Sequence, residues 1–304
     1  MSKVIARAPA KINLVLEVEP LRAGEDKHHL NSVFCTTTLA DTLVFDFSSG
    51  TEPFHMSLTI ASADLDISCI QEQDNSLTKT VEHFNRAYGF GFLPAGTLQV
   101  QLIKSIPTQA GLGGGSSDAA AMLRMLCWLA QVEPLCELSL SVARAVGADV
   151  PFFLHAPKEG FCAAMGGYGD ELLAALPKPE LHLALIKPAR GVSTKQAYAV
   201  FDALYEAGFA AGDNTAPPVF KGDIALSSTA LAPLCTNNLE SAAIELLPEI
   251  GALKDEAASL TGVLGVTMCG SGSALFALCE SPKAAQSCMQ HFAQQGLWSV
   301  AVET

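Results

Sequence analysis

Apolar residues along this chain recur at two spacings, and the switches between them outline its elements. The opening stretch, Val4 to Val18, ends in a period-two alternation that reads as a strand. Ile12, Leu14 and Leu16 share one face, while Lys11 and Asn13 share the other and read as solvated. Val33–Leu39 and Thr42–Phe47 predict two strands joined by a turn at Ala40-Asp41. Asp74-Asn75-Ser76 opens a helix to about Tyr88 that carries Leu77, Val81 and Phe84 inward, and Thr97–Ile103 alternates as a strand. Met122, Leu123, Met125, Leu126 and Leu129 recur at helical spacing, and a further helix spans Leu138 to Val146.

In the second half, Gly160–Asp170 is turn-rich and reads as a connection between domains 1–160 and 161–304. Strand Leu181–Lys187, a helix from Ser193 to about Glu206 and a Gly/Pro/Ala-rich loop near 207–220 follow. Asn237-Asn238-Leu239-Glu240 starts another helix. Strand Val263–Met268, the glycine loop 269–273, a return strand Ala274–Leu278, helix Pro282–Gln295 and strand Trp298–Glu303 close the chain. Strands and helices mix without a steady βαβ rhythm, which predicts an α+β fold.

Composition narrows the function classes. The 304 residues suffice for two domains, and 49% hydrophobic against 16% charged residues is the balance of a compact chain rather than a disordered one. A net charge of −13 argues against nucleic acid and anionic membranes as partners, so any anionic ligand needs local positive groups. Apolar runs are short or interrupted by charge, as by Arg124, which predicts no membrane span. Nine scattered cysteines without a CxxC pair, and no apolar leader, predict a reduced cytoplasmic protein.

The candidate chemistry centres on Pro107 to Ala130, PTQAGLGGGSSDAAAMLRMLCWLA. Gly111, Gly113, Gly114 and Gly115 let the backbone approach a ligand closely, and Ser116, Ser117 and Asp118 are good helix caps. A glycine loop opening into a helix N-terminus suits an anion; it also suits a tight turn. The loop is neither a P-loop, since no lysine follows its glycines, nor a dinucleotide fingerprint, whose third glycine is Ser116 here. Elsewhere, His28-His29 reads as an exposed loop pair with no metal-ligand set nearby, and Asp149 before Val150-Pro151 reads as a helix cap.

Taken together, PAKINL at 9–14, GLGGGSSDAA at 111–120, GADVPFF at 147–153, KPARGVST at 187–194, NNLE at 237–240 and MCGSGSALFAL at 268–278 resemble the GHMP kinases. That superfamily contains galactokinase and the homoserine, mevalonate and phosphomevalonate kinases. The motifs are most similar to the branch that phosphorylates the 2-hydroxyl of a cytidine-diphosphate-linked methylerythritol in isoprenoid synthesis. The resemblance implies a ribosomal-S5-domain-2-like N-terminal half, a ferredoxin-like C-terminal half and an active site between them. It implies ATP with its phosphates on Pro107, Gly111, Leu112, Gly113, Gly114, Gly115, Ser116 and Ser117. By similarity Asp149 is the catalytic base, Lys11 its partner, and Asn13 orients the acceptor. Magnesium is expected to accompany the ATP phosphates, with Ser117 or Asp118 as the residue that would touch it.

One departure bears on the acceptor. Where the family has Gly-Tyr-His-Glu-Leu, this chain has Asp26-Lys27-His28-His29-Leu30. His28 falls on the histidine that reads cytosine, but Lys27 replaces the aromatic residue that stacks on the base, a contact worth about 1–3 kcal/mol. Tyr198 either stacks from the other side or lies on an apolar helix face. Three readings follow: the cytidyl-alcohol kinase, another small-molecule GHMP kinase with a homoserine- or mevalonate-like acceptor, and a non-catalytic nucleotide-binding sensor. The oligomeric state is open, a homodimer being one option.

Overall fold

The structure is a computed structural model, and it describes residues 3–68, 70–71, 75–156, 160–208 and 227–304. The expected loop near 207–220 lies largely outside the described residues. Two compact units are present. One comprises residues 1–10, 39–108 and 113–158, the other residues 11–38, 109–112 and 159–304. Strands β1 (Val4–Val18) and β2 (Leu30–Ser49) each supply residues to both.

In the first unit the later part of β2 pairs antiparallel with β4 (Gly96–Lys104), Thr42 opposite Ile103 and Phe47 opposite Leu98. Strand β3 (His55–Ser62), whose Met56, Leu58 and Ile60 alternate, runs parallel to β4. Helix α1 (Ser76–Tyr88) links β3 to β4 as a parallel pair requires. Asn75 caps it: its side chain accepts from the amides of Leu77 and Thr78, and Thr78 Oγ1 accepts from the Asn75 amide. Leu77 and Phe84 are buried as their spacing predicts, and Thr80 joins them, whereas Val81 is half-buried.

Helices α2 (Gly114–Ala130), α3 (Glu137–Val146) and α4 (Val150–His155) complete this unit and pack on one another, with α1 against α2 and α3. The expectation that Ser or Asp caps α2 is corrected. The cap is Gly113, in the left-handed conformation at φ 71°, and Ser116, Ser117 and Asp118 lie inside the first turns. Glycine takes that conformation without the Cβ penalty, and Asp118 is drawn inward by a cation. Arg124, which interrupts the apolar helix, donates to the carbonyls of Phe153 and Leu154 and so satisfies the last turn of α4. Burial holds its pKa down at about 10.

The expected turn at Ala40-Asp41 is also corrected, because β2 runs through it without a break. An aspartate inside a strand needs a partner, and Asp41, fully buried, has several. Its Oδ1 accepts from the amides of Ser105 and Ile106 at 2.6 and 2.8 Å, and its Oδ2 meets Lys104 Nζ. Lys104 Nζ also donates to Asp118 Oδ2 at 2.8 Å. Burial pulls the Lys104 pKa down, but the charges of Asp118 and Asp41 outweigh it and the net shift is upward. With two carboxylates for one ammonium, Asp118 is pushed up to about 7, by burial first, while Lys104 opposes the shift and Asp41 adds repulsion.

In the second unit β5 (Cys162–Gly166) pairs antiparallel with the early part of β2, Ser32 opposite Met165 and Cys35 opposite Cys162. Strand β6 (Glu171–Leu176) pairs with β5. The region expected to be a turn-rich connection therefore contains a fully buried strand; the turn that follows it spans Gly167–Asp170, where Gly167 and Gly169 take positive φ. The two-residue strand β8 (Thr236–Asn237) lies parallel to β1 at Val15 and Leu16.

A separate antiparallel sheet has the order β11 (Trp298–Glu303), β7 (His182–Lys187), β10 (Leu275–Cys279), β9 (Val263–Met268). In order of appearance this is 4-1-3-2. Helix α5 (Thr194–Glu206) follows the first strand and α9 (Pro282–Gln294) the third, the split βαβ pattern of ferredoxin-like folds. Between α5 and β9 lie α6 (Ser228–Leu231), α7 (Glu240–Leu246) and α8 (Glu249–Ala258), of which only the α7 start is marked in the sequence pattern. Ile186, Phe201, Leu239, Ile250, Met268, Leu275 and Phe292 share its core. Among the described residues, no helix is long and apolar enough to cross a membrane, and the eight cysteines are free thiols, six of them buried.

The 109–112 segment packs on the loop between β9 and β10. Ser273 and Ala274 donate their amides to the carbonyls of Gln109 and Ala110. Gly111, at φ +73°, lies so close that a Cβ on it would sit 1.9 Å from the Cys269 carbonyl oxygen.

Two stability predictions follow. Because folding raises the Asp118 pKa from 3.8 to about 7, the folded chain holds the extra proton between those values, and stability falls as pH climbs through that range. Asp118→Asn, always neutral, should flatten the decline of Tm with rising pH; an unchanged slope contradicts the assignment. Gly111→Ala meets both a left-handed backbone, which alone costs about 1–2 kcal/mol, and a backbone clash. It should therefore cost more in urea unfolding than Gly24→Ala, where φ is +85° but nothing lies within 4 Å. Equal losses would show that the loop yields freely.

Candidate functional site

Lys11 and Asn13 project from β1 in the second unit, and the solvated face expected for them is not there. They are 3% and 1% exposed, and Ile12, Leu14 and Leu16 on the opposite face are buried as well. A buried ammonium needs oxygen or π partners. Lys11 Nζ donates to Asn13 Oδ1 at 2.8 Å and sits 4.4 Å from the centre of the Phe34 ring. Asn13 Oδ1 also accepts from the Gly270 amide at 3.0 Å, and Asn13 Nδ2 donates to Ser32 Oγ. The Lys11 amide donates to the Leu112 carbonyl at 2.9 Å. Lys11, Asn13, Gly111, Leu112 and the second glycine loop are thus one connected cluster.

Asn237 belongs to this cluster too, beyond its role at a helix start. Its side-chain amide donates to the Met268 and Gly270 carbonyls at 2.8 and 2.7 Å, while its Oδ1 accepts from the Leu239 amide. The NNLE string carries it, but nothing in local spacing reveals a reach of more than thirty residues to the glycine loop.

The remaining phosphate-loop residues lie in the first unit. Pro107 follows the Ile106 amide that Asp41 holds, and Gly113, Gly114 and Ser116 are half-exposed while Gly115 is exposed. The Ser117 amide closes the first helical bond to the Gly113 carbonyl at 2.9 Å. The amides of Gly114, Gly115 and Ser116 belong to the opening turn of α2, whose N–H groups have no intrahelical acceptor, and this end carries the positive helix dipole. That arrangement can bind phosphate oxygens. The side-chain oxygens Ser117 Oγ and Asp118 Oδ1 are buried and have no hydrogen-bond partner among the described residues.

Asp149 is half-buried at the start of α4, and its carboxylate makes no capping bond to the helix amides. The expectation of a simple side-chain cap is therefore not met. The α3–α4 connection that carries it comes close to α2: a Cβ on Gly147 would lie 3.6 Å from Ser116 Oγ.

His28 is in the second unit, and its side chain is only 8% exposed, unlike the solvated loop residue expected from a His-His pair. Its Nε2 lies 2.6 Å from Asp202 Oδ1, and its ring centre is 4.8 Å from that of Tyr198 and 6.1 Å from that of Phe201. Helix α5 supplies all three partners at helical spacing. His29 and Lys27 turn instead to Tyr168, at 4.8 Å ring to ring and 5.7 Å from Nζ to the ring centre. The three carboxylates, histidines or thiols that a protein-built metal centre needs are nowhere grouped among the described residues.

Known proteins place this geometry in a family. The signature of the GHMP kinases N terminal domain matches residues 75–156, and that of the GHMP kinases C terminal matches residues 219–296. The 4-diphosphocytidyl-2-C-methyl-D-erythritol kinase of Desulfitobacterium hafniense (strain Y51) is 35% identical over 92% of this chain and 88% of its own. The enzyme of that name from Rhodospirillum rubrum (strain ATCC 11170) is 36% identical over 90% of this chain and 83% of its own. A crystal structure of 4-(cytidine 5'-diphospho)-2C-methyl-D-erythritol kinase superimposes with a TM-score of 0.72 at 30% identity, covering 99% of this chain and 100% of that one. The chain belongs to the GHMP kinases.

Proposed function

We propose that this protein is an ATP-dependent kinase that phosphorylates the 2-hydroxyl of 4-diphosphocytidyl-2-C-methyl-D-erythritol, serving isoprenoid synthesis in the cytoplasm. ATP is the phosphate donor of the family. The observation that carries the reading is the opening turn of α2, where amides after Gly113 stand ready for phosphate oxygens although the chain carries a net charge of −13. The choice of acceptor rests on relatives 33–36% identical over most of the chain that carry that name.

In this reading the ATP phosphates lie on the loop from Pro107 to Ser117. Asp149 accepts the proton of the acceptor hydroxyl as its oxygen attacks the γ-phosphorus; the bond from that phosphorus to the β-bridging oxygen breaks, and ADP leaves. Lys11, held by Asn13, offsets the negative charge that develops on the reacting oxygens. Asn13 orients the acceptor, and His28 with Tyr198 receives the cytosine. The Asp202 carboxylate hydrogen-bonds the Nε2 side of the His28 ring, so the base would meet the ring from the Nδ1 side.

Magnesium suits the residues present: the orphaned, buried hydroxyl of Ser117 offers a hard oxygen at the phosphate end of α2, whereas the Asp118 carboxylate is engaged by Lys104. When bound, it would neutralise phosphate charge. Residues 1–160 and 161–304 are the corresponding N- and C-terminal kinase domains, a division in keeping with the matches at 75–156 and 219–296.

A second reading is favoured by Lys27, which stands where the family has a base-stacking aromatic and faces Tyr168. It is a GHMP kinase with another small-molecule acceptor. ATP consumption assayed with the diphosphocytidyl alcohol, homoserine, mevalonate and galactose separates the two. The first reading expects turnover with the cytidyl compound alone, and turnover only with another acceptor overturns it. Asp149→Ala should lower turnover by about 10²–10⁴-fold while ATP still binds. Near-normal turnover would remove Asp149 from the role of base.

A further inference from the structure

Between the end of β4 and the second turn of α2 the chain makes the glycine loop, and one buried cluster grips it on both sides. Lys104 is the last residue of β4, and its ammonium reaches Asp118 in α2 at 2.8 Å and Asp41 in β2. Asp41 takes the next two backbone amides, those of Ser105 and Ile106. Gly114, the first residue of α2, lies against the same group: a Cβ there would come within 2.9 Å of Ile106 Cγ2 and 3.4 Å of Asp41 Oδ2. The three charged side chains are 0–6% exposed.

We propose that Asp41, Lys104 and Asp118 form a positioning clamp for the nucleotide, with Asp118 holding the first turns of α2 where their amides meet phosphate. The inference rests on the ATP-binding reading above and assigns these residues a part in it. Core packing alone does not call for such a cluster. Buried ion pairs are often replaceable by apolar side chains without loss of stability, and here a second carboxylate is buried against one ammonium. What charged hydrogen bonds add is direction. Asp41 aims the chain into Pro107, and Asp118 fixes the rotation and height of α2 relative to β4. Neither need touch ATP, because both act through the backbone amides that do. Phosphate binding by amides depends on their convergence, so a small displacement of α2 weakens all of them together.

Asp118→Asn keeps an oxygen for Lys104, whereas Asp118→Ala and the larger, apolar Asp118→Leu do not. The test is calorimetric titration of the full chain with ATP, on variants whose fold has been checked by circular dichroism. Asp118→Ala should bind ATP about tenfold or more weakly, with Asp118→Asn within about twofold of the parent, a rescue that separates positioning from charge. If the alanine variant does not fold, Asp118→Leu, which leaves Lys104 paired with Asp41, carries the comparison. Undiminished ATP affinity in the folded alanine or leucine variant overturns the clamp, as does equal weakening in the asparagine variant. Absence of ATP binding by the parent protein is a different result: it removes the nucleotide reading itself, and this inference with it.

Discussion

A buried ammonium between two carboxylates is the constraint on which the first unit depends. Charges cannot stay in a protein interior unless they are paired and hydrogen-bonded, so Lys104 ties together every segment that supplies it with a partner. Those segments are the middle of β2, the end of β4, the entry to the glycine loop and the first turns of α2. Hydrophobic packing among α1, α2, α3 and α4 is non-directional and tolerates small slides. The ionic cluster does not, and it lies where the backbone must be accurate.

The second unit meets the same need with neutral groups. Asn13 Oδ1 collects the Lys11 ammonium and the Gly270 amide, while Asn237 donates to the Met268 and Gly270 carbonyls. Two amide side chains thus fix the second glycine loop, and that loop in turn carries the 109–112 segment through main-chain bonds from Ser273 and Ala274. The close approach at Gly111 is available only because a glycine stands there. The glycines of this chain therefore do two different jobs. Gly111 permits backbone-to-backbone contact, and Gly113 provides the left-handed residue that starts α2.

Most of the elements can be read from periodicity, and what could not be read shares one cause. Helix α1 with its Asn75 cap, strands β4, β7 and β9 and the closing α9–β11 pair were predicted nearly to the residue, because local spacing and capping chemistry decide them. The turn expected at Ala40-Asp41 was wrong because a charge in an apolar run normally marks a loop, and its partner Lys104 lies 63 positions away. The same holds for Lys11 and Asn13, whose polar face looked solvated and is buried by distant segments. His28 looked exposed until α5 supplied Asp202 and Tyr198. The glycine loop was plain as a candidate anion site, since its chemistry is local, yet the residues that hold it were not. The family resemblance singles out Lys11, Asn13, His28 and Asp149 as candidates and includes Asn237 within its NNLE motif, but it draws no attention to Asp41 or Lys104.

In the proposed function the opening of α2 serves phosphate and the loop around His28, where Lys27 departs from the family pattern, serves the acceptor. The central claim, transfer of the ATP γ-phosphate to one hydroxyl of the cytidyl alcohol, is tested most directly by ³¹P NMR of a reaction with stoichiometric ATP. The account predicts a new phosphomonoester resonance on an acceptor whose own diphosphate signals persist, growing as the ATP γ-signal disappears. Loss of the γ-signal to inorganic phosphate alone, with the acceptor spectrum unaltered, would contradict it.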